Sequence, residues 1–358
     1  MDLKKLSMKE KIGQKFMFGV NSNNIDVIIN LIKQYHIGGV ILYKKNYKNY
    51  EEMLSVIKRL KEANKSNKIP LFIAIDQECG RVNRMPLEFE NLKNIYDMSK
   101  KNGDLISSNA NITGRMLFET GINMNFAPVL DVCDDDKSKV LYKRCFYGDV
   151  SRVSENGARY VNGMKKTGVI SVVKHFPGHG ISKMDSHFIT PVVGDYNKVI
   201  DTHILPFERA IKEGVDALMV GHLVIRKLTN GMPASISSKF IKEYIRDRYK
   251  FDGLVITDEM NMLSRNILYT FNYLKKAFVA GSDIILIKIK DRGNGIIDKC
   301  IKLTLNNPEY EKMVDESVSR IIKIKNKYNV SDNVDYVGCN VNEINKEIVK
   351  LNKMCSDN

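Results

Sequence analysis

The stretch ISVVKHFPGHGISKMDSH, residues 170–187, divides in two. ISVVKHF is almost continuously apolar until its lysine and histidine, the pattern of a strand covered on both faces in a parallel sheet. Pro177 and the glycines at 178 and 180 then rule out a helix. The remainder is dense in titratable groups: the stretch holds three of the chain's six histidines, together with Asp185. A buried strand that runs into a charged, irregular loop is the repeating unit of an α/β barrel, where chemistry sits at the strand C-termini.

Runs of the same kind lie on either side. QKFMFGV (14–20), GGVILY (38–43), LFIAID (71–76) and NMNFAPV (123–129) precede it, and ALMVGHL (217–223), LVITDE (254–259) and DIILIK (283–288) follow. Between them NYEEMLSVIKRLKEANK, SRVSENGARYVNGMKKTG, DTHILPFERAIKEG and SSKFIKEYIRDRYK are amphipathic at helical spacing. Ser151 is the candidate N-cap of the second of these, and Gly168 its candidate C′ residue. Strand and helix alternate without a change in composition. The expectation is one α/β domain, a (β/α)8 TIM-type barrel over residues 1–328, rather than an open doubly wound sheet. Residues 329–358 are polar and weakly periodic, and read as a C-terminal tail with at most one short helix.

Composition narrows the function. Of 358 residues, 43% are apolar, enough for a sizeable core. No apolar run approaches the length of a membrane span, and MDLKKLSMKEKIGQKF has no apolar signal core, so neither membrane nor export is expected. Cysteines 79, 133, 145, 300, 339 and 355 form no CxxC pair and read as reduced thiols in a cytoplasm. The net charge of +14 comes from dispersed lysines without a basic-aromatic signature. That describes a solvated surface rather than a nucleic-acid site. Attraction for an anionic substrate such as cell-wall material is the alternative.

The polar residues that end the strands carry the chemistry. They are Asp76 in IDQECGRVNR, Asp131 in APVLDV, Lys174 and His175, His222, and Asp258 with Glu259. Each also has an ordinary reading. Asp258 could cap the next helix. Asp76 could pair with Arg81 or Arg84, and His175 could be a satisfied core residue. His179, between two glycines, could serve loop packing. Asp185 and His187 lie two apart, so on an extended loop the carboxylate can orient the imidazole and raise its basicity, as an acid/base requires. The spacing H-x3-H-x7-H is not that of a helical zinc motif, and Pro-Gly interrupts it. No metal or cofactor is expected.

Together IGGVILY, IAIDQECGRVNR, GINMNFAPVLDV, KRCFYGD, VVKHFPGHGISKMDSH, PFERAI, ALMVGH, PASISSKFI and FDGLVITDEMNM resemble family 3 glycoside hydrolases over about residues 12–325. KHFPGHG-x4-DSH is specific to the single-domain β-N-acetylglucosaminidase branch. The resemblance implies Asp258 as nucleophile and His187 as acid/base, assisted by Asp185, on a loop that closes over bound sugar. It implies sugar contacts by Asp76, Arg84, Arg144, Lys174 and His175. It also implies a carbohydrate substrate, namely terminal β-linked N-acetylglucosamine of peptidoglycan fragments. Other glycones, a phosphate acceptor, or a catalytically weak sugar-binding barrel are the alternatives. Two features depart from the pattern. Cys79 stands where a glycine is usual, and the region NMLSRNILYTFNYLKK is short. There is no tryptophan, so any sugar stacking falls to Tyr or Phe.

Overall fold

The computed structural model describes residues 2–20, 22–133, 141–181, 191–263, 267–289, 294–333 and 338–356. Each expected apolar run is a strand: β1 (Phe16–Val20), β2 (Gly39–Leu42), β3 (Phe72–Ile75), β4 (Met124–Asn125), β5 (Ile170–Phe176), β6 (Ala217–Val220), β7 (Leu254–Thr257) and β8 (Ile285–Ile289). They form one parallel eight-stranded sheet in the order β8-β1-β2-β3-β4-β5-β6-β7. The two ends meet through a parallel bridge between Ile256 and Ile284, and the Thr257 N–H donates to the Ile284 carbonyl at 3.0 Å. The sheet is therefore a (β/α)8 barrel, as the alternation of strand and helix predicts.

Strand period 2 sorts the apolar residues into two cores. Met17, Ile41, Phe72, Ala74, Met124, Ile170, Val172, Ala217, Met219, Leu254, Ile256 and Leu286 pack together inside the barrel. Their neighbours, such as Phe18, Val40, Ile73, Val173, Leu218, Val255 and Ile287, pack outward under the helices. The helix Pro308–Lys327 passes beneath the barrel, where Ile321 and Ile324 join the inner core.

Several local readings are corrected. The helix Val150–Lys165 begins one residue before Ser151, and its N-cap is Asp149, whose side chain accepts from the Arg152 N–H. A two-stranded parallel ladder, Val192–Val193 with Val224–Ile225, has no counterpart in the expected pattern because each strand is two residues long. Cys133 and Cys145 are joined as a disulfide, whereas Cys79, Cys300, Cys339 and Cys355 are free and buried. The chain returns beside β4, where Val129 bridges Cys145, and that return brings the pair together. A spacing of 12 gives no hint of it.

The segment read as a polar tail carries the helix Val341–Ser356, which buries Ile344, Ile348 and Leu351. It lies against the helix Gly103–Glu119, to which the Arg115–Glu347 ion pair ties it. Among the described residues no helix is long and apolar enough to cross a membrane.

A candidate active site at the barrel mouth

The barrel interior is apolar up to one level and polar at the next. On β3 the inward positions run Phe72, Ala74, Asp76; on β7 they run Leu254, Ile256, Asp258. The same step beyond Ile41 gives Tyr43, beyond Val172 gives Lys174, and beyond Leu286 gives Lys288. Each is the next side chain that the pleat turns toward the axis. All five line a cavity of about 460 Å³ at the C-terminal mouth. Gly19 is the matching position on β1; a Cβ there would meet Tyr43 Cε2 at 2.5 Å, so its absence makes room for the tyrosine.

One wall is a lattice of paired charges. Lys174 Nζ lies 2.6 Å from Asp76 Oδ1 and 2.6 Å from Glu78 Oε1. Arg144 grips Glu78 in a two-pronged contact, Nε to Oε2 at 2.7 Å and Nη2 to Oε1 at 2.8 Å. Burial alone would discharge these groups, but the pairing wins. Burial pushes the Lys174 pKa down, yet Asp76 and Glu78 carry it above the usual lysine value. Burial likewise raises Glu78, and Lys174 and Arg144 pull it far below the carboxylate range. Arg84 completes this wall; its backbone N–H donates to Gln77 Oε1 at 2.8 Å, and its buried Nε has no hydrogen-bond partner among the described residues. Asp76 thus pairs with Lys174 rather than with Arg81 or Arg84.

Asp258, His175 and His179 line the same cavity. Asp258 is fixed by its own N–H donating to the Val220 carbonyl at 2.9 Å, and its Oδ1 accepts from the Glu259 N–H at 2.7 Å. Burial opposes its ionisation, but His175, His222, that N–H and Lys174 together hold the carboxyl below the ordinary aspartate range. Asp258 is therefore an anion inside the cavity, not a helix cap on the surface.

His175 Nδ1 lies 2.7 Å from Asp131 Oδ2. The other oxygen of Asp131 accepts the His179 backbone N–H, so one buried carboxylate sets both histidines. His222 sits behind Asp258, with Nδ1 2.6 Å from Ser235 Oγ and Nε2 3.1 Å from the Glu259 carbonyl; it is a satisfied core histidine.

Asp76, Arg84, Arg144, Lys174, His175 and Asp258, expected from the sequence to act together, line this one cavity. Asp185 and His187 lie outside the described residues. Sequence reasoning gave no role to Glu78, Tyr43 or Lys288, and marked Asp131 only as a strand-end acid without its partners. Asp131 and Glu78 stand in quoted motifs, but their partners come from other strands. Tyr43 and Lys288, 5.2 Å apart from ring centroid to Nζ, meet only once the barrel closes.

Comparison with known proteins agrees with this geometry. Residues 7–324 match the glycosyl hydrolase family 3 N-terminal domain. Beta-hexosaminidase A of Pseudoalteromonas piscicida is 31% identical over 325 residues, 83% of this chain and 54% of that protein, so the chain spans about half of that relative. Beta-hexosaminidase of Psychromonas ingrahamii is 34% identical over 260 residues, 70% of this chain and 75% of that protein. A family 3 beta-N-acetylglucosaminidase structure from Paenibacillus sp. str. FPU-7 superposes with a TM-score of 0.87 at 29% identity, covering 98% of this chain and 69% of that one.

Proposed function

The chain belongs to glycosyl hydrolase family 3, and from that premise we propose that it is a retaining exo-glycosidase acting on terminal β-linked N-acetylglucosamine. The observation that carries the reading is the ionised, half-buried Asp258, which lines one cavity with the Lys174–Asp76–Glu78–Arg144 lattice. A carboxylate held as an anion is a nucleophile at hand, and a wall of fixed donors and acceptors suits sugar hydroxyls.

The proposed reaction has two displacements. An Asp258 oxygen attacks the anomeric carbon and forms the glycosyl ester, while the acid/base protonates the departing glycosidic oxygen. The same group then takes a proton from water, whose oxygen displaces Asp258 with overall retention. The usual acid/base is a second carboxyl with a raised pKa. Here the mouth carboxyls with displaced titration, Glu78, Asp131 and Asp258, are all displaced downward and hold no proton to give. That favours a histidine, and His187 oriented by Asp185 is the proposed acid/base.

Lys44, Lys45 and Lys288 line the same cavity, and no carboxylate partner to them is seen among the described residues. They favour an acidic glycan, consistent with peptidoglycan fragments as the natural source. A cytoplasmic recycling role is proposed with this substrate. The buried free thiols favour it, and the Cys133–Cys145 bond speaks against it.

The test compares aryl β-N-acetylglucosaminide with aryl β-glucoside, each with and without phosphate. Faster cleavage of the N-acetyl substrate, independent of phosphate, is expected. Phosphate-dependent turnover would make the protein a phosphorylase. Stoichiometric sugar binding without product would make it a binding protein.

A further inference from the structure

His179 is a buried side chain that the proposed reaction does not use. It is 5% exposed and lines the cavity with Asp258 and His175, and among the described residues neither of its ring nitrogens has a hydrogen-bond partner. A buried polar group without a partner costs free energy, so a buried, unpartnered ring at the wall of a cavity points to a ligand.

The backbone around it is built to aim the ring. The His179 N–H is tied to Asp131 Oδ1. Gly178 has φ +117°, and a Cβ there would meet His203 Cβ at 2.7 Å. A Cβ on Gly180 would meet the Val132 carbonyl oxygen at 1.9 Å. The flanking glycines thus let the loop press against two neighbouring segments, and the imidazole between them is the part that faces the cavity. Its ring centroid lies 6.1 Å from that of His175, at 68°, so the two rings meet edge to face.

We infer that His179 is a substrate-binding residue that hydrogen-bonds a hydroxyl of the bound glycone. The choice of partner follows from the ring's chemistry. Burial lowers the His179 pKa, which keeps the ring neutral at pH 7, with one nitrogen donating and the other accepting. An alcohol also both donates and accepts, whereas a carboxylate only accepts. The permanent charges of the cavity, Lys174, Arg144 and Arg84, leave this neutral role unfilled.

The inference rests on the glycosidase reading, and the test separates the two. His179→Phe keeps a planar ring, somewhat larger, without the nitrogens, and His179→Asn restores one donor and one acceptor. Both are assayed on aryl β-N-acetylglucosaminide and on its 3-, 4- and 6-deoxy analogues, and both are titrated with N-acetylglucosamine. His179→Phe is expected to lose about tenfold or more in kcat/KM, the loss expected for one well-placed hydrogen bond, and His179→Asn to recover part of it. One deoxy analogue is expected to erase the difference between wild type and His179→Phe; a purely structural role would leave that difference equal on all substrates.

Equal loss on every analogue, or no loss at all while the wild type cleaves normally, overturns the inference and leaves the glycosidase reading intact. If the wild type binds N-acetylglucosamine without cleaving it, the reading fails and the titrations decide: weaker binding by His179→Phe supports the contact, and unchanged binding overturns it. If the wild type neither cleaves nor binds the sugar, both fall.

Discussion

The two ends of the barrel bury comparable charge and use it differently. At the mouth, Asp76, Glu78, Arg144, Lys174 and Asp258 line a cavity, and among the described residues Arg84 Nε and both His179 nitrogens are without protein partners. At the floor the charges are closed in. Lys15 Nζ donates to the Ser282 carbonyl at 2.6 Å and to Ser317 Oγ at 2.7 Å. Lys325 Nζ donates to Gln14 Oε1 at 2.8 Å and to the Gly38 carbonyl at 3.0 Å, and sits 4.3 Å from the Phe72 ring centroid. Asp283 is held by Arg246, by Arg320 and by the Val255 N–H. Burial of charge does not by itself mark function; charge that borders open space with bonding capacity to spare does.

Substitutions should therefore separate the ends. Asp258→Asn removes the proposed nucleophile and is expected to lower turnover of aryl β-N-acetylglucosaminide by about 10⁴-fold or more, with little change in melting temperature. Substantial residual turnover would remove Asp258 from the chemistry and the mouth from its special status. Asp283→Ala leaves Arg246 and Arg320 facing each other without their anion. It is expected to cost about 3–5 kcal/mol of stability, the range for breaking a buried pair, while the folded enzyme keeps its kcat. Denaturant titration beside steady-state kinetics checks both halves; a fall in kcat with unchanged stability would erase the contrast.

The floor also predicts a pH effect. Burial pushes Lys15 down to about 7, against the raising influence of Asp283, and pushes Lys325 down to about 7 as well. An unfolded lysine keeps its proton to about pH 10.4, so above pH 7 the unfolded chain binds more protons than the fold. Stability should then rise with pH, and be lost as pH falls back through 7. Burial raises the thiols Cys79 to about 11 and Cys300 to about 12, so the unfolded chain sheds those protons first and the rise is opposed above about pH 8.5. Denaturation midpoints at pH 7 and 8.5 test this. The wild type should gain, and Lys15→Met and Lys325→Met should each gain less. A flat wild-type profile would mean that both lysines stay protonated in the fold.

Much of the mouth was legible in the sequence because parallel strands are apolar on both faces and the charged position after each run stands out. Asp76, Lys174 and Asp258 are all found that way. The floor was not legible. Lys15 stands at the start of an expected strand run and Lys325 sits among dispersed lysines at ordinary helical spacing, and only the packing of the helix Pro308–Lys327 under the barrel separates them from surface residues. Asp131 was visible as a strand-end acid, but its task required knowing that the turn after β5 folds back onto it. Tyr43 and Lys288 lie on strands far apart in sequence, and β1 is what seats them in one cavity.

Cys79 gives the smallest expected effect and the finest test of the mouth. The position does require positive φ: Cys79 has φ 72° and Gly80 has φ 61°. A non-glycine residue in that region costs about 1–2 kcal/mol. Replacement by glycine would release that strain. It would also give up a sulfur buried among Thr113 Oγ1 at 3.6 Å and Asn109 Oδ1 at 3.8 Å, and would free the unfolded backbone. Each loss is about 1 kcal/mol, so the terms nearly offset, and Cys79→Gly should change stability by no more than about 1 kcal/mol. Activity depends on whether the strained turn moves Glu78. That carboxylate is gripped by Lys174 and Arg144, and the Glu78 backbone N–H donates to the Val82 carbonyl at 3.1 Å. Held from these sides, it should stay in place, and kcat/KM should change by less than about threefold, well under the effect of losing one hydrogen bond to a charged group. A large rise in turnover would show instead that the turn, and not the ion-pair lattice, sets the geometry of the mouth.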